Sequence, residues 1–340
     1  MNIDSSKYIL LFECCQLTKG QSRTLLIDFQ RKKIEFLDNE LYDIFTSNTN
    51  RIIREILDGY DRDTQKIIIE YFIYLIESEY AFLCEKEELA FFPKINLDWH
   101  NPSHITNCII DFDAAPKDLN PYFDFLSELD SLGCENLQIR CYKKIPLDVL
   151  ENILVFINKT IIHRIELILK YDAVFKNDYK HLISKFPRVN ELILHSADID
   201  SRVPLLTSQL LYFTTQKIDG SNCCGKISPQ YFNLNFEHYL ESNNYNTCLN
   251  RKIAIDVNGD IKNCPSLKNS YGSIYKNTLQ NVIADPFFLK GWGIKKDLIK
   301  TCNVCEFRHV CTDCRAYLND DLSLEKPLKC NYNPFTMIWE

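Results

Sequence analysis

Seven of the fifteen cysteines fall between Thr247 and Cys330, and their spacing limits what this chain can fold into more than any other feature. Cys248 is followed by ten residues, Gly259, four more residues and Cys264. Cys302 and Cys305 bracket two residues, five residues follow, Cys311 and Cys314 bracket two more, and Cys330 closes the set. The first pair predicts a hairpin: Ile253, Ile255 and Val257 alternate, Asn258-Gly259 supplies a type I′ turn, and Ile261 opens the return strand. Both turn residues tolerate the positive φ that such a turn requires, so folding back brings Cys248 and Cys264 together. The run CNVCEFRHVCTDC is too short for two metal knuckles that each close on themselves. Two centres that borrow distant ligands fit it better than one.

Soft thiolate ligands with no histidine among them suit iron–sulfur clusters or zinc. A zinc ribbon places roughly fifteen or more residues between its CxxC pairs, whereas here there are five. Iron–sulfur is therefore the reading that the spacing favours, with structural zinc and unligated thiols as the alternatives.

The order C-x10-G-x4-C, gap, C-x2-C-x5-C-x2-C, gap, C resembles the SPASM domain, the auxiliary-cluster domain of many radical-SAM peptide-modifying enzymes. More narrowly, YNTCLNRKIAIDVNGDIKNCPS, CEFRHVCTDCRAY and KPLKCNYNP resemble the SPASM-domain maturase of the grasp-with-spasm ribosomal peptide systems, most strongly from Cys224 to Pro334. What this implies is two [4Fe–4S] clusters. The outer would be held by Cys302, Cys305, Cys311 and Cys330, the inner by Cys248, Cys264 and Cys314. Many such domains carry a further cysteine shortly after the first, but Leu249 to Asn263 holds none. The nearest replacement is the Cys223-Cys224 pair in DGSNCCGKI, and Cys224, directly before Gly225, is the expected fourth inner ligand. The resemblance also implies two partners, an ATP-grasp ligase and a small precursor peptide.

A length of 340 residues suits two or three domains. The net charge of −7, with no basic run, argues against a nucleic-acid surface. No stretch reaches the roughly eighteen apolar residues of a membrane span, and the start MNIDSSKYILLF has an acidic residue early and an apolar run too short for a signal peptide. Fifteen cysteines without an export signal read as reduced thiols and metal ligands of a cytoplasmic protein.

Three regions follow: 1–97, a winged-helix-like peptide-recognition element; 98–220, a partial βα barrel; and 221–340, the Cys-rich SPASM domain. The fold class is thus α/β. In the first region, strands are expected at Tyr8–Leu17, Thr24–Phe29 and Lys33–Leu37, and helices at Glu40–Thr46, Asn50–Asp58 and Asp63–Glu79, with Asp61 or Asp63 as N-cap of the last. A hairpin wing is expected over Ala81–Phe92. This order resembles the recognition modules of ribosomal peptide pathways, which bind a leader peptide as an extra strand on a sheet edge. From Ile105 a βα rhythm begins. Strands are expected at Ile105–Phe112, Leu137–Cys141, Ile165–Leu169, Leu192–His195 and Leu210–Thr215, and helices after Asn120 and over Leu147–Asn158 and Asp178–Phe186.

A radical-SAM core requires C-x3-C-x2-C after the first barrel strand, and no such triplet occurs. The sequence reading is accordingly a degenerate barrel that does not use S-adenosylmethionine as a radical source. Asp111 and Asp113 end the first barrel strand, where capping or solvation is the expected role. His163 and His195 read as structural, Trp292 as core, and His309 as either a donor to a cluster sulfur or an exposed side chain.

Overall fold

A computed structural model of the chain describes residues 3–48, 50–176, 178–203, 205, 208–320 and 322–340. The expected first strand is two: β1 (Tyr8–Leu11) and β2 (Cys15–Lys19), separated where the Cys15 N–H turns back to the Phe12 carbonyl. β2, β3 (Thr24–Asp28) and β4 (Lys33–Leu37) form an antiparallel sheet in that order. Helices α1 (Asn39–Ser47), α2 (Ile53–Leu57) and α3 (Arg62–Glu77) follow. Ile68, Phe72 and Leu75 are the buried face of α3, at helical spacing, and the Asp61 carboxylate caps it by accepting from the Asp63 and Thr64 N–H groups.

The expected wing is not a hairpin. Ala81–Cys84 is a single strand, β5, paired antiparallel with β1, and Lys86–Phe91 is a 3₁₀ turn. The physical reason is local. Glu85, Glu87 and Glu88 are exposed and offer nothing to a sheet face, and the Glu88 carboxylate accepts from the Glu85 N–H, which starts a helical turn.

The middle of the chain gives β6 (Asn107–Phe112), α4 (Asn120–Ser131), β7 (Asn136–Cys141), α5 (Leu147–Ile157), β8 (Arg164–Lys170), α6 (Asp178–Lys185), β9 (Val189–His195), β10 (Ser201–Val203) and β11 (Leu210–Phe213). Asn120 lies inside α4 rather than capping it, and its N–H is held by the Asp118 carboxylate. Beyond α7 (Phe236–Asn244) come β12 (Lys252–Ile255) and β13 (Ile261–Lys262). The result is one eight-stranded sheet, ordered β10-β11-β9-β8-β7-β6-β12-β13, mostly parallel, with antiparallel strands at both ends. β12 pairs in parallel with β6, so the cysteine-bearing hairpin extends the same sheet as the βα units.

Every second residue of the central strands is buried under the helices: Ile110, Ile139, Leu167 and Leu192 are representative. Toward the N-terminal ends of the strands the opposite face carries a cavity of about 680 Å³ lined by Asn107, Gln138, Glu166, Glu191 and Lys252. Register explains why these meet: Gln138 is paired with Glu166, and Glu166 with Glu191, on neighbouring strands.

The hairpin forms as expected, but its turn differs. Gly259 has φ +82°, whereas Asn258 is not among the residues with positive φ. The Gly259 N–H donates to the Asp256 carbonyl and the Asp256 N–H to that of Asp260, a three-residue loop closed by one left-handed glycine. The Asp256 carboxylate fixes this choice by accepting from the Asn258 and Asp260 N–H groups.

β3 is buried along its whole length. Leu26 faces the helices α1 to α3, while Leu25 and Ile27 share a core with Phe307, Val310, Cys311 and Tyr332. Period-2 alternation thus gives one strand two cores, and the N-terminal sheet is packed directly onto the C-terminal cysteine region.

Candidate metal centres

Cys302, Cys305, Cys311 and Cys330 line one cavity whose remaining wall is largely apolar and includes Ile227, Phe232, Phe307 and Trp339. The first two come from a tight turn in which the Cys305 N–H donates to the Cys302 carbonyl at 3.0 Å. Thr301, just before it, has φ +70°, a left-handed backbone that a β-branched residue rarely adopts. Burial pushes the Cys302 thiol up to about 12 and the Cys311 thiol up to about 11, with nearby Lys296 acting in the opposite direction. Neighbouring thiols add to the rise, Cys330 among them, because like charges would sit close together. Four thiols at one largely apolar cavity are a donor set for a thiophilic centre, and loading such a centre would release their protons.

The Gly220–Gly225 loop meets the end of the CxxC run and the segment after β13 around buried Cys314 and Cys264, with Cys248 half-buried and Cys224 exposed. Burial pushes Cys264 up to about 11 and Cys314 up to about 12; Cys248 is the largest like-charge contributor to both, and Cys224 acts on both as well. The loop carrying Cys224 is tied down from three sides. The Tyr317 hydroxyl donates to the Ser221 carbonyl at 2.7 Å, and Ser266 Oγ donates to the same carbonyl at 3.1 Å. Lys329 Nζ donates to the Cys224 carbonyl at 2.7 Å while lying 3.6 Å from the Tyr317 ring centre. Gly225 has φ +82°, and a Cβ there would stand 2.8 Å from Cys314 Sγ. Cys223 is exposed as well, its thiol near the Lys217 carbonyl at 3.7 Å.

Arg140 and Tyr142 stand at the C-terminal end of β7, facing Asp111 at the end of β6. Asp111 is neither capping nor solvated there. It is 1% exposed and accepts two hydrogen bonds from the Arg140 guanidinium, at 2.6 and 2.7 Å, and a third from the Tyr142 hydroxyl. Register makes the pair, since Asp111 and Arg140 are direct partners on β6 and β7. Asp113 is solvated, 2.8 Å from Lys143.

His309 is neither exposed nor aimed at the thiols through Nδ1: it is buried, and Nδ1 lies 3.0 Å from Ser242 Oγ on α7. His195 is fully buried, with Nε2 3.0 Å from the Cys141 carbonyl and Nδ1 3.0 Å from Ser196 Oγ, a structural histidine as expected. His163 lies at the surface, with Nδ1 3.2 Å from the Ile161 carbonyl. Trp292 packs edge-on against Phe288.

Sequence reading passed over several charged residues at these groups. Lys252 Nζ donates to Cys248 Sγ at 3.6 Å, and Lys296 Nζ to the Cys311 carbonyl at 2.8 Å. Buried Glu306, between Cys305 and Phe307, is held by Arg23 Nε at 2.8 Å and by the Tyr332 hydroxyl. Nothing in their spacing marks them, because their partners lie in other elements. Among the described residues, Cys14, Cys15 and Asp28 are the one set of three such ligand atoms all within 4.8 Å of one another, closer than the thiols of either expected group lie, but Asp28 is already engaged by the Arg31 guanidinium and backbone N–H.

No protein-family description matches the chain, and no curated protein matches it. Solved structures of Streptococcus suis SuiB are similar. The form bound to S-adenosylmethionine aligns at 12% identity and a TM-score of 0.43, covering 94% of this chain and 98% of that one. The form bound to precursor peptide SuiA aligns at 10% identity and a TM-score of 0.36, with the same coverage. Likeness at this level fixes neither chemistry nor substrate.

Proposed function

We propose that this chain is an iron–sulfur protein that takes part in the maturation of a ribosomally made peptide, working with an ATP-grasp ligase. The observation that supports the reading is that Cys302, Cys305, Cys311 and Cys330, far apart in sequence, line one cavity. In this reading Cys302, Cys305, Cys311 and Cys330 hold the outer cluster and Cys248, Cys264, Cys314 and Cys224 the inner one. Bound clusters would supply one-electron redox chemistry or a rigid scaffold; the thiols hold them, and the apolar wall of the outer cavity excludes water. A structural zinc at either group is the alternative occupant.

Leader binding is assigned to β4. It pairs with β3 on one side only, and its free side opens on a cavity of about 470 Å³ lined by Phe36, Leu37, Ile67, Tyr71 and Tyr74. Phe36, Ile67 and Tyr74 are exposed, so an added strand would gain backbone pairing and apolar contact together. By contrast, residues of β2 share a second cavity with Phe92, Lys94, Ile95 and Leu97 of the following segment. A non-catalytic adaptor that presents peptide to the ligase is the second reading. The tethered Cys224 loop favours it, since four thiolates at the inner group would leave no iron open to substrate.

Analysis of anaerobically purified protein for iron, sulfide and zinc tests the assignment. About eight irons per chain are expected for two four-iron clusters, and a colourless protein with stoichiometric zinc would overturn it. The same preparation should release no 5′-deoxyadenosine from S-adenosylmethionine, because no C-x3-C-x2-C loop exists to bind that cofactor at an open iron.

A further inference from the structure

Lysines stand at both cysteine groups: Lys329 and Lys326 donate to the Cys224 and Tyr332 carbonyls, while Lys252 reaches a thiol of the inner group itself and Lys296 the Cys311 carbonyl of the outer one. Lys252 opens β12, where it borders the cavity toward the N-terminal ends of the strands. Its side chain is half-buried, and its ammonium donates to Cys248 Sγ at 3.6 Å. That thiol is its hydrogen-bond partner, while the Glu241 carboxyl on α7 also feels its charge. Lys296, 6% exposed, donates instead to the Cys311 carbonyl, and the carboxylate nearest in effect, Asp313, is held 2.9 Å from Arg315. Among the described residues no carboxylate forms an ion pair with either ammonium.

An ammonium taken out of water without a counter-charge is costly, by several kcal/mol in a folded protein. Protonated thiols supply none. Thiolates bound to a metal centre do, since four thiolates around a core of charge +2 leave a net charge of −2. A donor at a ligating sulfur also withdraws electron density and so stabilises the reduced state of the centre.

We propose that Lys252 is the dedicated counter-charge of the inner centre and, through its hydrogen bond to Cys248 Sγ, raises that centre's reduction potential, while Lys296 serves the outer centre through the Cys311 backbone. Lys252 is a positioning residue in this assignment, because it acts on a sulfur that holds the centre. The inference rests on the reading that the two cysteine groups hold clusters.

The test compares the anaerobic full-length protein with Lys252→Met, Lys252→Arg and Lys296→Met, by iron content and by redox titration followed with electron paramagnetic resonance. Circular dichroism checks folding, and Lys252→Gln replaces Lys252→Met if the latter does not fold. Lys252→Met should lower the inner midpoint by about tenfold in the reduction equilibrium, which is about 59 mV for one electron. The outer midpoint should stay unchanged, and Lys252→Arg should restore the inner one. Lys296→Met should move the outer midpoint alone. Bound iron with both midpoints unmoved in Lys252→Met, or both moved equally, overturns the proposal. If the wild-type protein carries zinc, the iron–sulfur reading fails on its own terms and the counter-charge is read from chelator challenge. One of two zinc ions leaving faster from Lys252→Met, but not from Lys252→Arg, supports it, and identical release from all variants overturns it.

Discussion

Gly225 shows how tightly one residue constrains the inner group. Its φ of +82° lies where an L side chain is strained, and a Cβ there would press on both Cys314 Sγ and the Tyr317 ring, each at 2.8 Å. Gly225→Ala is therefore expected to cost about 1–3 kcal/mol and to lift the Cys224 loop away from Cys314. Urea denaturation would read the first effect and iron content the second, with roughly half the iron lost and the outer cluster retained. Glu241 on α7 makes a different residue-scale prediction. Burial, opposed by the Asn250 amide and by the charges of Lys252 and Arg251 and reinforced by Glu237, pushes its carboxyl from 4.5 up to about 7. The folded state thus holds a proton that the unfolded chain has released. The stability this gives is present below about pH 4.5 and is lost as pH rises through about 7. Glu241→Gln keeps an acceptor for the Asn250 amide, which donates at 2.9 Å, and removes the titration. The variant should be more stable than the wild type by about 2 kcal/mol at pH 8, with the gap closing towards pH 5. Urea midpoints across that range measure it, and parallel curves would refute the assignment.

At the scale of elements, the strands and helices of the βα region were legible because each carries its own signal: period-2 burial in β6 to β9, helical spacing in α4 and α5, and a glycine stop at Gly133, φ +81°. The pairing of β12 with β6 was not, since parallel register between segments some 145 residues apart leaves no local trace; only the thiol spacing hinted that the hairpin mattered. The wing failed for the opposite reason. A strand at Ala81–Cys84 was visible, but its partner is β1, more than seventy residues earlier, rather than its sequence neighbour. The cysteine spacing in turn held no sign of Lys252, Lys296 or Glu306. The β4 edge offers the element-scale prediction. Ile67→Asp and Tyr74→Ala change exposed side chains of α3 beside that edge, so each should leave folding within about 0.5 kcal/mol of the wild type. Each should nevertheless weaken binding of a synthetic leader segment of the precursor peptide by tenfold or more. Calorimetric titration of the full-length protein decides it, and unchanged affinity in both variants would remove β4 as the docking edge.

Across the whole molecule, the N-terminal region and the outer cysteine group are parts of one packed body. Arg308 Nη1 donates to the Lys19 carbonyl at 2.7 Å, the Gln21 N–H to the Val304 carbonyl at 2.7 Å, and Arg23 Nε to Glu306 at 2.8 Å. The Arg23 guanidinium also lies 3.5 Å from the centre of the Phe36 ring, which meets Phe307 edge-on, so β4 and the Cys305 turn share one aromatic contact. Removing residues 1–97 would strip Leu25, Ile27 and Phe29 from the core that includes Phe307, Val310 and Cys311. It would also leave Glu306 without the guanidinium that balances it. At roughly 25 cal/mol per Å² of apolar surface returned to water, three large side chains and their partners amount to several kcal/mol. That loss falls on the cover of the outer group and not on the inner one, which is held by β12, β13 and the Cys224 loop. The truncated protein is thus expected to keep the inner iron and lose the outer, with about half the wild-type iron per folded chain. Loss of leader binding should accompany this. Full iron retention in a folded truncated protein would mean that the outer cavity closes without the N-terminal sheet, and that the two regions are joined only in sequence.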